Sequence, residues 1–223
     1  MFIGHFALGF AAKKVAPTVS LGTLFLAAQL ADLVWPVLVL LGIEKVEVSP
    51  GITAFTPLDF VHYPYSHSLV GLFGWAIAFA AAYAVARRAP IHAALTIAAL
   101  VLSHWVLDFL THRPDMPLTL GGSLHVGLGL WNSVPATVIV EGLLFAAGVA
   151  LYMRTTQAID TAGRWALWSL VAFLVVIYVA NIFGPPPPSG AAVAWTALAM
   201  WLLVAWGYWI DAHRRTRSPM SLA

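Results

Sequence analysis

V-H-Y-P-Y-S-H-S-L-V-G-L-F-G-W-A-I-A-F-A-A-A-Y-A-V-A-R-R, residues 61–88, runs from two histidines into an uncharged apolar stretch that ends on a pair of arginines. The stretch from 67 to 86 matches the roughly 20 residues a helix needs to cross the hydrocarbon core of a bilayer. Working outward, comparable runs cover approximately 20–43, 91–112, 132–153, 164–183 and 191–210. A further run, 1–15, is short for a crossing and reads as a tilted or partly inserted helix. The fold expected is therefore all-α: a polytopic transmembrane helical bundle with six or seven spanning helices. It forms one domain over 1–210, followed by a basic cytoplasmic tail at 211–223 that reads as a membrane-surface anchor.

Composition agrees with that reading and excludes others. With 61% hydrophobic residues, 9% charged ones and a mean hydropathy of +0.87, the chain is too apolar for a soluble domain of 223 residues. Cysteine is absent, so disulfides and thiolate metal sites are excluded and any metal must be held by nitrogen and oxygen. The opening M-F-I-G-H-F-A-L-G-F has no positive charge ahead of its apolar part, unlike a cleavable signal peptide. The formal charge of +2 arises from short basic clusters between apolar runs, which read as topology signals rather than a nucleic-acid surface.

Those clusters orient the bundle, because Lys and Arg in short loops are retained on the cytoplasmic side. Lys13, Lys14, Arg87, Arg88, Arg154, Arg164, Arg214, Arg215 and Arg217 fall on one side, against Lys45 and Arg113 on the other. The amino terminus and the connections at 44–66, 113–131 and 184–190 then face outward, to the periplasm in a bacterium. The four prolines of G-P-P-P-P-S-G within the last of these read as a stiff hairpin connection.

Ionisable side chains inside spans cost about 2.5–3.5 kcal/mol each on insertion scales, so each needs a reason. Here Asp32 lies mid-span, while His5, His62, His67, His104 and Asp108 gather toward the outer half or its surface. In S-H-W-V-L-D, His104 and Asp108 are four residues apart, so a helix sets them on one face within reach of a common atom. His62 and His67, five apart with Pro64 between, suit a turn that presents both rings inward. Three or four imidazoles with one or two carboxylates are a usual donor set for zinc, with manganese or iron as alternatives. Blander readings fit the remaining groups. His112 and His125 read as interfacial residues, and His92 and His213 as part of the basic side. Asp59 reads as a carboxylate supporting a ligand or as an exposed loop residue. Glu141 reads as a neutral hydrogen-bonded core acid or an acid/base group.

The order of these elements resembles the YdjM-like membrane-bound metal-dependent hydrolases. A T-H-x3-G pattern is represented by G-H-F-A-L-G with His5 and Gly9, and an acidic motif by L-A-D-L-V-W-P with Asp32. H-R-G-x-T-H-S is represented by H-Y-P-Y-S-H-S with His62, His67 and Ser68, and S-H-x3-D by Ser103, His104 and Asp108. The likeness covers roughly 1–112; no arginine follows His62, Ser66 stands at the threonine position, and the second motif has one acid in place of two.

That resemblance implies a hydrolase that holds a divalent metal, zinc foremost, at the outer side of the inner membrane. On the residues' own reading, a carboxylate not used as a ligand, Asp32 or Asp108, is the expected general base. A site opening at headgroup depth points to a membrane lipid or lipid-linked ester, amide or phosphoester, and the scattered basic clusters speak against a nucleic-acid partner. The missing arginine argues against a phosphate-type substrate, for which it would be the natural clamp. The alternative built on the same cluster is a divalent-metal transporter, whose site belongs near the midplane with access from both sides.

Overall fold

The computed structural model describes residues 1–121 and 124–217. Ten α-helices follow in order among the described residues: α1 (Ile3–Ala12), α2 (Leu21–Ala28), α3 (Leu30–Leu40), α4 (Pro64–His67), α5 (Leu69–Arg87), α6 (Ile91–Thr111), α7 (Val134–Thr155), α8 (Thr161–Phe183), α9 (Gly190–Ala197) and α10 (Met200–Ala212). Three two-stranded antiparallel ribbons join them: β1 (Lys45–Val48) with β2 (Leu58–His62), β3 (Met116–Pro117) with β4 (His125–Val126), and β5 (Thr156–Ala158) with β6 (Arg214–Thr216). The chain is a multi-pass membrane protein of the all-α class. Helices α5, α6, α7 and α8 and the α9–α10 stretch are each long and apolar enough to cross a bilayer, and α2 and α3, bent at a break, pass the same test only when taken together.

Small polar residues start these helices where the sequence leaves the apolar pattern. Ser20, Ser68, Ser133 and Ser189 each accept the N–H three residues on, and Asp160 does the same for Gly163 at 2.8 Å. Each such cap satisfies one of the N–H groups that a helix start leaves without a partner.

The first segment differs from the others. Helix α1 has only ten residues, too few to span, and Ile3, Phe6, Ala7 and Phe10 are buried among α2, α6 and α7. It is an internal plug. Glu141, on α7, accepts the N–H groups of Phe2 (3.0 Å) and Gly4 (3.3 Å) through Oε2, and so caps the start of α1 from a neighbouring helix. Of the two readings of Glu141, the structure places it as a buried hydrogen-bonded acid. The second unusual element is the 57° bend at Gln29, which divides α2 from α3.

The two ends of the bundle are built differently. At one end the β1–β2 hairpin and the start of α5 both bond the chain that follows α6: Phe55 N–H donates to the Trp131 carbonyl (3.0 Å), and Val70 N–H to that of Leu118 (3.1 Å). At the other, Lys13 Nζ is buried and donates to the Val19 carbonyl (2.8 Å) and to Asp211 (2.9 Å). There the basic tail also packs against the bundle. Helix α10 continues to Ala212, β6 pairs with β5, and Arg214 lies over the Tyr152 ring, 5.5 Å from its centroid. Residues 218–223 of that tail lie outside the described residues.

Close packing of α1 on α7 depends on Gly148, where a Cβ would fall on the Ala7 backbone carbonyl; at Gly142 it would meet nothing. Gly148→Leu is expected to destabilise the detergent-solubilised protein by about 1–3 kcal/mol through overpacking. Gly142→Leu is expected to be tolerated. Thermal unfolding of both variants checks this, and equal melting temperatures would contradict the plug arrangement.

Candidate metal centre

Five of the six side chains singled out in the sequence meet at the hairpin end of the bundle. Helix α6 presents His104 and Asp108 one turn apart, with His104 Nε2 3.2 Å from Asp108 Oδ2. Helix α1 delivers His5, whose Nε2 is 3.0 Å from Asp108 Oδ1 and whose ring lies parallel to that of His104 with centroids 3.7 Å apart. The amino nitrogen of Met1 also contacts Asp108 Oδ1. Helix α4, opened by Pro64 at its first position, delivers His67, with Nε2 3.3 Å from Asp32 Oδ1 and 3.8 Å from Asp108 Oδ2. Asp32 stands in the first turn of α3, where a helix start favours negative charge, and its Oδ1 is 3.8 Å from His104 Nε2.

The donor atoms form two overlapping groups: His5, His104 and Asp108, and Asp32, His67 and His104. Within each group the atoms lie inside 4.8 Å of one another. His104 is shared. His5, His67, His104 and Asp108 are all at most 2% exposed, whereas the Asp32 side chain is 25% exposed and forms the open side.

The bend at Gln29 does more than aim Asp32. Ala28 is the last residue of α2, where carbonyls lose their intrahelical partners, and its oxygen lies 2.8 Å from His104 Nδ1. A carbonyl only accepts, so Nδ1 carries the proton and a neutral His104 turns a bare Nε2 toward the two carboxylates. That buried atom has no hydrogen-bond partner, and neither does His5 Nδ1. Three imidazoles, two carboxylates and an orphaned buried nitrogen fit a divalent cation held by nitrogen and oxygen.

His62 does not join them. It closes β2, paired in register with Lys45, and is exposed. The expected turn with both rings inward is a strand–helix junction instead. Pairing with β1 fixes His62, Pro64 then starts α4, and the two rings are carried by different elements.

Around the cluster lie groups that spacing alone did not reveal. Glu44 is buried; its Oε1 accepts the N–H groups of Tyr65 (2.8 Å) and Ser66 (2.9 Å), and its Oε2 accepts the Ser66 hydroxyl at 2.6 Å. Ser66 Oγ is in turn 2.7 Å from His67 Nδ1. Glu44 had no local signal, since its partners are more than 20 residues away.

One turn beyond Asp108, His112 is buried rather than interfacial, ringed by Phe60, Tyr63 and Trp131, with Nδ1 3.0 Å from Asp115 Oδ1. Arg113 binds both Asp115 (Nε to Oδ2, 2.9 Å) and Asp59, so Asp59 serves that arginine and not the cluster. His125 is exposed in β4.

Comparison with family models, with curated proteins and with solved structures finds no match for this chain.

Two outcomes are expected from this geometry. Metal analysis of zinc-loaded protein should show stoichiometric loss in His67→Ala and full retention in His62→Ala, and loss in both would contradict the assignment. Separately, burial lowers the His112 imidazole below its ordinary 6.5, against the hydrogen bond to Asp115. A folded state that resists a proton the unfolded chain accepts loses stability as pH falls below that ordinary value. Between about pH 7 and 5 the melting temperature of His112→Asn should therefore fall less than that of the parent protein.

Proposed function

We propose that the chain is an inner-membrane metal-dependent hydrolase of the YdjM-like type. Its site lies near the periplasmic side and acts on a lipid or lipid-linked ester or phosphoester. The observation that carries the reading is the convergence of His5, Asp32, His67, His104 and Asp108 in one cluster whose open side is a carboxylate. The bare His104 Nε2 faces two acids. The donor set, nitrogen and oxygen only, suits zinc first, then manganese or iron.

Bound there, a divalent cation supplies Lewis-acid polarisation of the scissile group and brings water within reach of deprotonation near neutral pH. The chain's own residues divide the remaining work. Asp108, enclosed and in contact with His5 and His104, is suited to holding the ion and the rings. Asp32 is the acid that substrate and water can reach, and is assigned as general base. Arg113 is committed to Asp59 and Asp115 and so is not free to clamp a phosphate, which favours a carboxylic ester over a phosphoester.

Location supports a lipid substrate. Asp108 and His67 sit in the last turns of α6 and α4, toward the hairpin layer, and the basic clasp of Lys13, Arg214 and Arg217 lies at the opposite end. The positive-inside rule then directs the cluster outward. One-sided placement is also what distinguishes this reading from a transporter, whose site belongs at the midplane.

Purified protein loaded with zinc is expected to turn over one member of a panel of phospholipids, glycolipids and lipid-linked esters. Asp32→Asn should lower kcat by about 10²–10⁴-fold while retaining metal, and Asp108→Asn should lose the metal. Undiminished turnover in Asp32→Asn would overturn its assignment as base. Zinc uptake into proteoliposomes with no lipid turnover would replace the hydrolase by a transporter.

A further inference from the structure

We infer that Glu44, acting through the Ser66 hydroxyl, sets the tautomer of His67 and so keeps its Nε2 bare toward the cluster. Glu44 is a positioning residue in this assignment, which rests on the reading of the cluster as a metal site.

Proton directions follow from the inventory of donors. As a carboxylate Glu44 has only acceptors, so the Ser66 hydroxyl, 2.6 Å from its Oε2, points its single hydrogen at Glu44. The Ser66 oxygen then has only lone pairs left for His67 Nδ1 at 2.7 Å, and that nitrogen must be the N–H. In the neutral ring Nε2, the atom 3.3 Å from Asp32 Oδ1, is then left without a proton.

The consequence concerns what can satisfy Asp32. Had His67 carried its proton on Nε2, the ring would donate to Asp32 and the pair would be content without an ion. By holding the proton on Nδ1, Glu44 excludes that alternative and sets a bare nitrogen against a carboxylate oxygen. His104 is held the same way by the Ala28 carbonyl. Glu44 also accepts the N–H groups of Tyr65 and Ser66, first-turn donors of α4 that lack helical partners, so the same side chain fixes the helix that carries His67.

Glu44→Gln separates the two roles. The amide oxygen can still accept both N–H groups, but the amide NH2 now donates to Ser66. The Ser66 hydroxyl hydrogen is then released toward His67 Nδ1, and the proton of His67 moves to Nε2. Nitrogen-15 NMR of histidine-labelled, metal-free protein reads this directly: Nδ1–H for His67 in the parent, Nε2–H in Glu44→Gln, and a mixture of tautomers in Ser66→Ala. Zinc affinity should fall about 10–100-fold in Glu44→Gln. It should recover to the level of Ser66→Ala when Ser66→Ala is added, because the reversed donor has lost its relay. Ser66→Thr, which keeps the hydroxyl, should match the parent.

A purely structural Glu44 would make the double variant weaker than either single one, and that result, or an unchanged tautomer in Glu44→Gln, would overturn the inference. Should Glu44→Gln fail to fold, an unmixed Nδ1–H tautomer in Ser66→Ala would overturn it as well. Parent protein that binds no zinc yet shows the tautomer reversal would refute the metal reading and leave the assignment to Glu44 standing.

Discussion

Buried Asp108 and partly exposed Asp32 meet three imidazoles toward one end of an apolar bundle, and the structure depends on how their charge is balanced. Burying a carboxylate away from water is expensive unless a cation or several donors face it. Neutral imidazoles can supply those donors only if their protons point inward. For His104 and His67 they point the other way, held by the Ala28 carbonyl and by Ser66, leaving bare nitrogens beside the acids. The Met1 amino group and the His5 ring face Asp108, while Asp32 keeps an open side.

Much of the architecture reads as a means of bringing these groups together. A full crossing by the first segment would carry His5 past the cluster. A ten-residue plug capped by Glu141 holds it on Asp108. An unbroken helix over 21–40 would use the Ala28 carbonyl for its own ladder; the 57° bend releases it to His104 and re-aims Asp32 into the pocket. The short α4 turns a loop histidine inward, and the hairpin end locks over the top, while the lysine and arginine clasp secures the opposite end.

The spans were legible because apolar runs of bilayer length have few alternative explanations, and residues 69–87 and 91–111 fall within two residues of their expected limits. His104 and Asp108 were legible for a similar reason, since helical periodicity alone places them together. His62 misled because a five-residue spacing around a proline suits an inward turn as well as a strand–helix junction, and only pairing with Lys45 decides between them. Glu44, the Ala28 carbonyl and the Arg113–Asp59 pair were invisible, because each acts on a partner more than 20 positions away that only the tertiary fold brings near. The tail was read from its charge, which says nothing of the strand it forms with β5.

X-ray absorption at the zinc edge, on protein loaded with one equivalent of metal, addresses the central claim most directly. The expected spectrum has a nitrogen and oxygen shell at about 2.0–2.1 Å, with the outer scattering of two or three imidazole rings. A shell of oxygen alone, with no imidazole scattering, would contradict the account.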